Sequence, residues 1–403
     1  MKKALEGIRV VDLTHVLAGP TATMFLADLG AEVIHIEPET GDDSRQFGPH
    51  IGNNDINNSA YFISLNRNKK SLVLDLKKKE GPTILKQLIK KSDVLVENHR
   101  PGALQKLGFG WAEVHKMNSR LIYASISGFG QDTLPQHAGR PAYDAAVQAY
   151  SGLMSITGPE GGEPCRVGTS IGDILSGYQA AVSILAALFY RKKTNVGQYY
   201  DGSMVDGLFS VLENAVVRYT STGEIARPLG SAHPSIAPFQ AFRTKDDAWI
   251  IVAVGNDNLW HKFCRLLNRR DLINDNRFTT NIDRSENKKN LAIIIQEELA
   301  RKTAAVWARK LAKEGIPYSP LNNIKDICED EHIRHRGMLK EINQPMVGKI
   351  KLANSPFRLS KTPAQIYAPA PCLGEHSREI LAKILGYPPA KIERLKKAGV
   401  IKD

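Results

Sequence analysis

The sequence is short of the residues that build disulfide frameworks, zinc sites and membrane spans. Its 403 residues hold four cysteines, Cys165, Cys264, Cys328 and Cys372. They lie far apart with no C-x-x-C pair, which argues against a disulfide scaffold and a zinc site, so no metal is expected. Cys165 has no histidine neighbour and no helix start beside it, and reads as a bystander thiol. No apolar run reaches the roughly 18 residues a membrane span needs, and no membrane partner is expected. The first residues carry two lysines but neither an apolar signal core nor an Arg/Ser-rich presequence, so the expected location is cytoplasmic. Net charge is +12, yet the longest basic runs, 77–79 and 191–193, are not interleaved with aromatics. No zinc-finger or RNP-like pattern accompanies them, and nucleic acid is not an expected partner. The positive excess suits a solvated surface or an anionic small ligand. G-x-G-x-x-G is missing too, which removes the dinucleotide fingerprint. There is no internal repeat.

What is present is an alternation of short branched strands and amphipathic helices. Residues 8–14 (IRVVDLT) read as a buried strand, 21–29 as a helix and 32–37 (EVIHIE) as a second strand, a β-α-β unit with a right-handed crossover. Further strands are expected over 71–76, 93–97, 121–127 and 198–201, and helices over 80–91 and 205–219. This spacing predicts an α/β fold with a mostly parallel, doubly wound sheet. Such sheets bind ligands at the carboxyl ends of their strands. Beyond residue 220 the composition changes. Residues 239–243 and 249–254 flank Thr244-Lys245-Asp246-Asp247 and read as a hairpin, with amphipathic helices following. A second, smaller α+β domain is expected there. Residues 316–322 and 337–348 read as polar segments leading back, and 349–352, 376–385 and 390–397 as a strand and two helices.

One stretch stands out, Arg166-Val167-Gly168-Thr169-Ser170-Ile171-Gly172-Asp173. It leads, through two glycines, to a carboxylate at the start of the longest apolar helix, expected over 174–193. Asp173 has two readings. It can cap the helix, since Asp accepts first-turn amides well. It can also face a cleft as a nucleophile.

Several stretches together resemble the class III (formyl-CoA transferase-like) CoA-transferase family. These are LEGIRVVDLTHVLAGPTATMFLADLGAEVIHIEP, GDDSR, LNRNKKSLVLDL, VENHRPGALQKLGFG, the Asp173 segment and PCLGEH, in order over nearly the whole chain. Within the family, SAHPSIAPFQAFRTKD and GIPYSPLNNIKD are most similar to members that move CoA between dicarboxylic acids such as succinate and glutarate. The resemblance implies a Rossmann-like large domain built from 1–200 and 345–403. Linkers at 201–225 and 326–344 would join it to a small domain at 226–325. It further implies an interlocked homodimer, acyl-CoA and small carboxylic acids as substrates, and no permanently bound cofactor.

The implied nucleophile is Asp173. The implied CoA contacts are the His15, Val16, Leu17 and Ala18 turn, then Leu74, Asp75 and Lys77, then Asn98, His99, Arg100 and Lys106, with Tyr143. Leu17 replaces a glutamine of formyl-CoA transferases, which argues for a longer acyl chain. Lys106 replaces an arginine, and Pro38 stands where arginine is common. Tyr143 stands where the racemase branch carries histidine. With an ordinary pKa near ~10 it is a poor acid/base for α-proton exchange. Gly255 and Asn256 match a glycine-containing loop that covers the intermediate. Arg45 and Arg166 are candidates for the distal carboxylate, because a guanidinium fork matches one. His233 and Ser235 are further candidates. Gly168 and Gly172 are expected to let the thioester approach the carboxylate.

Overall fold

Residues 3–403 are described in the computed structural model. Six strands form the framework: β1 (Arg9–Leu13), β2 (Glu32–Glu37), β3 (Lys69–Leu74), β4 (Val94–Glu97), β5 (Ile122–Ser127) and β6 (Tyr199–Ser203). All neighbouring pairs among them are parallel, in the spatial order 3-2-1-4-5-6. Residues Ile401–Lys402 add an antiparallel edge beside β3. This is the doubly wound order, and its direction reverses between β1 and β4.

The strands are apolar on both faces because helices cover both. Val11, Ile34, Leu72 and Leu95 point to one face and meet Ile84, Leu85, Leu88 and Ile89 of the Gly81–Lys90 helix, with Ile380, Leu381, Ile392 and Leu395 from the C-terminal helices. Val10, Val33, Val94 and Ile122 point to the other and meet Ala22, Leu26, Ala180 and Ile184. Each fully buried branched side chain contributes about 1.5–3 kcal/mol. The Ala18–Asp28 and Ile171–Thr194 helices lie against each other on this second face. A Cβ at Gly177 would fall 2.6 Å from Thr21 Cβ and 2.9 Å from the Ala18 carbonyl. Glycine is therefore what allows the two backbones to approach.

The chain divides into two compact units, residues 1–153, 167–216 and 332–403 in the first and 154–166 with 217–331 in the second. The division differs from the boundaries expected above, since 154–166 leave the first unit. In the second, β7 (Phe239–Arg243), β8 (Trp249–Ala253) and β9 (Tyr318–Pro320) form an antiparallel sheet in the order 7-8-9. Phe242, Ile250 and Val252 pack on Trp260, Phe263, Leu291, Ile295, Trp307 and Leu311 from the surrounding helices.

Three expectations are corrected. The polar segment 316–322 contains an edge strand, β9. The 205–219 helix is two, Met204–Ser210 and Asn214–Thr222, because Glu213 takes φ 54°, outside any helix interior. The lone strand at 349–352 is half of a hairpin, β10 (Leu339–Gln344) with β11 (Gly348–Ala353). Its turn holds Pro345 and Met346, with Met346 at φ 61°, and lacks the Asn-Gly signature that marks hairpins in a sequence.

Candidate active site

A cavity of about 630 Å³ opens at the carboxyl ends of β1, β2 and β3 and beside the loop after β4. His15, Pro38, Leu74, Asp75, Lys77 and His99 are in its wall. This is the edge, beside the reversal of strand order, where open α/β sheets take ligands. The two loops at the reversal are tied together. Asn98 Oδ1 accepts the His15 N–H at 2.8 Å, and Asn98 Nδ2 donates to the His15 carbonyl at 2.8 Å. The His15 and His99 rings stand 5.1 Å apart. Burial, with His15 nearby, lowers His99 to about 4, so its imidazole is neutral near pH 7.

Val16 occupies a left-handed conformation at φ 65°, costly for a β-branched residue. Both carboxylate oxygens of Asp42 hold its N–H at 3.2 Å. Asp42 belongs to a buried charge network that sequence reading missed. His35 Nδ1 lies 3.2 Å from Asp12 Oδ2, and its Nε2 lies 3.6 Å from Asp42 Oδ2. These are ion pairs rather than aligned hydrogen bonds. Burial opposes the charge on His35, but Asp12 and Asp42 outweigh it and raise the imidazole to about 9. Lys69 Nζ donates to Asp12 Oδ2 at 3.1 Å. The signal was visible as Asp12 and His35 inside otherwise apolar strands, where an unpaired polar group is too costly to keep.

Asp173 does not cap its helix. The helix spans Ile171–Thr194, with Ser170 at the cap position and Asp173 in the first turn. The carboxylate that binds this helix start belongs to Asp144, whose Oδ1 accepts the Gly172 N–H at 2.8 Å. The helix runs from the carboxyl edge of the sheet back to β6. Asp173 lies one turn before Gly177, which touches Ala18 and Thr21, so it sits beside the His15–Ala18 turn. Burial, and then the Asp144 carboxylate, raise Asp173 to about 7. Tyr61, also missed from sequence, is half-buried nearby. Burial and the charges of Asp173, Asp42 and Asp144 push its phenol to about 12. Its ring meets Phe47 edge-on at 5.5 Å.

The other expected residues divide. His15, Leu74, Asp75, Lys77 and His99 line the cavity. Leu17 and Ala18 are buried and are not in its wall. Arg100 and Lys106 are exposed and outside the cavity wall, and Tyr143 is 79% exposed. Arg45 is corrected: it is fully buried, with Nε 2.7 Å and Nη2 2.9 Å from the Glu37 carboxylate. Asn57 and the Pro371 carbonyl take further N–H groups, so the fork is occupied by the fold. Gly172 is corrected as well. A Cβ there would meet Asp144 Oδ1, Val147 and Leu208 at 3.1–3.2 Å, so its smallness serves helix packing. Gly168 has open space around it. Arg166, His233, Gly255 and Asn256 belong to the second unit. There the Asn256 side chain accepts the Leu259 N–H as an N-cap, which ties it to structure. His233 stacks on Phe239 and accepts the Ser235 N–H at 3.1 Å.

Residues 5–377 match CoA-transferase family III. The chain belongs to that family and is an enzyme that moves coenzyme A from an acyl-CoA to a carboxylic acid. It is 41% identical over 402 residues to succinyl-CoA:glutarate CoA-transferase of Mus musculus, covering 100% of this chain and 91% of that one. It is 39% identical over 361 residues to acetyl-CoA:oxalate CoA-transferase of Acetobacter aceti, covering 89% and 90%. A solved CAIB/BAIF family protein from Brucella suis superposes with a TM-score of 0.84 at 34% identity, covering 95% of this chain and 100% of that one.

Proposed function

We propose that the enzyme transfers CoA from succinyl-CoA, or a similar dicarboxylyl-CoA, to a second dicarboxylic acid such as glutarate, with Asp173 as covalent nucleophile. The observation that carries this reading is a half-buried carboxylate, with no hydrogen-bond donor among the described residues, in the first turn of the helix packed against the one that follows the cavity-lining His15 turn. The Asp173 carboxylate attacks the thioester carbonyl, the C–S bond breaks, and an aspartyl–succinyl anhydride and CoA thiolate result. The thiolate then attacks the aspartyl carbonyl, releasing succinate and leaving an aspartyl-CoA thioester. Glutarate attacks that thioester, thiolate leaves, and thiolate attack on the glutaryl carbonyl of the new anhydride frees glutaryl-CoA and restores Asp173. Each step exchanges a thiolate for a carboxylate or the reverse at an activated acyl group, so no step needs hydrolysis. First-turn amides of the Asp173 helix favour the ionised carboxylate. CoA enters as substrate, with His15, Leu74, Asp75, Lys77 and His99 at its cavity.

The same reading includes a homodimer. Val182, Ala186, Phe189 and Tyr190 recur at helical spacing on the exposed side of the Asp173 helix. This helix is the one that is long and apolar enough to cross a membrane, by length and composition, among the described residues. A second copy of the chain fits that face better than water does. A cytoplasmic setting suits the four free thiols.

The test is incubation with succinyl-CoA and a panel of carboxylic acids, followed by trapping with hydroxylamine or borohydride. CoA exchange and an adduct at Asp173 are expected. Asp173→Ala should abolish the adduct and lower exchange by at least about 10³-fold. Exchange of the α-proton into solvent without acyl transfer would replace this reading with a racemase.

A further inference from the structure

We propose that Asp144 and Gln148 form a clamp that fixes both ends of the segment leading into Asp173, and so act as positioning residues for the acyl-transfer step. The inference rests on the assignment of Asp173 as nucleophile. The two residues are four apart on the Asp144–Tyr150 helix and therefore share a face. Both are buried. Asp144 Oδ1 accepts the Gly172 N–H at 2.8 Å, and Asp144 Oδ2 accepts from Gln148 Nε2 at 2.6 Å. Gln148 Oε1 accepts the Val167 N–H at 2.9 Å. The bonds thus run from Val167, through two side chains, to Gly172, and bracket the four residues between.

Beneath the clamp the same helix is wedged apolarly. Val147 packs with Met204 and Leu208, and Ile171 and Leu175 lean on that cluster. Gly172 leaves no room for a Cβ against Asp144 and Val147. Asp173 follows Gly172 directly, and no hydrogen bond holds its own carboxylate. Its direction is consequently set by the backbone that the clamp anchors. Covalent attack demands that nucleophile and carbonyl meet within a few tenths of an ångström of the productive geometry, and a displacement near 1 Å can cost about 10²-fold in rate.

A clamp predicts a specific kinetic signature. Gln148→Leu removes both bonds that Gln148 makes while keeping its volume near. It should lower kcat and the single-turnover rate of adduct formation by about 10–100-fold, with the KM for acyl-CoA within about twofold of wild type. Asp144→Asn alone sets an amide N–H against Gln148 Nε2, whereas Asp144→Asn combined with Gln148→Glu rebuilds all three bonds and should restore most of the rate lost in Asp144→Ala. Because Gln148→Leu can also loosen the fold, each variant's thermal midpoint is read beside its rate. Equal rate loss in folded Asp144→Asn/Gln148→Glu and Asp144→Ala, or a wild-type adduct rate in folded Gln148→Leu, would overturn the clamp. Failure of the parent reading looks different: wild-type protein would then form no adduct at Asp173 at all.

Discussion

The Asp173 carboxylate lies between opposed influences. Burial and the neighbouring Asp144 charge raise it to about 7, while the helix N-terminus favours ionisation. A carboxylate stripped of water is a better nucleophile, but only its ionised form attacks. Transfer should therefore fall about tenfold per pH unit below an apparent pKa near 7, on the acid limb of kcat/KM. The same shift acts on stability. Folded Asp173 titrates above the ordinary aspartate range, so folding is favoured when it is protonated and loses that contribution as pH rises through about 7. Asp173→Asn should then unfold at a higher denaturant concentration than wild type at pH 8, by about 1–2 kcal/mol, with the difference vanishing near pH 4. Denaturant titrations at the two pH values check the sign. At this scale the proposed nucleophile was legible in the sequence, but its neighbours were not. Asp144 is distant in sequence from Gly172, and nothing in spacing says that one carboxylate caps the other's helix. Arg45 was misread for the converse reason: the sequence shows a free fork, and Glu37 occupies it only after β2 and the following loop fold together.

At the scale of elements, two helices and a turn present the site. The Ala18–Asp28 and Ile171–Thr194 helices both start at the carboxyl edge of the sheet, and Gly177 lets them touch. Gly177→Leu would drive a side chain into Thr21 and the Ala18 carbonyl. Overpacking of this kind costs about 1–3 kcal/mol. It should also displace the His15–Ala18 turn from Asp173, so the variant should lose transfer activity beyond what its lower thermal midpoint explains. Unchanged kcat in a destabilised but folded variant would separate the helix contact from the site. The strained Val16 turn depends on Asp42, which depends on His35 and Asp12 in turn. The strands and the long helix were readable from their periodicity. The hairpin β10–β11 was only half readable, because its turn carries no glycine-asparagine signal.

For the whole molecule, the order 3-2-1-4-5-6 places the cavity and Asp173 on one edge, and the Asp173 helix carries an exposed apolar stripe on which the proposed dimer would close. Phe189, 61% exposed, is central to that stripe. Phe189→Glu would bury a charge in any interface there, which costs several kcal/mol if unpaired. Sedimentation velocity should show wild type as a dimer and Phe189→Glu shifted toward monomer. A wild-type monomer at micromolar concentration would remove the dimer from the proposal.

The sequence alone determined the α/β class and the family, and singled out Asp173 as the candidate nucleophile, because local periodicity and ordered motifs need no knowledge of what meets what. Tertiary structure decided which polar residues line the cavity and which are buried against a partner. It showed Arg45 occupied by Glu37 and Gly172 packed against Val147 and Leu208, and it placed Asp144 on the Gly172 N–H and the His35 network beneath the Val16 turn. Those assignments depend on burial and on partners distant in the chain. A charged residue reads the same in sequence whether water or a buried counter-charge surrounds it, and only the folded chain distinguishes the two.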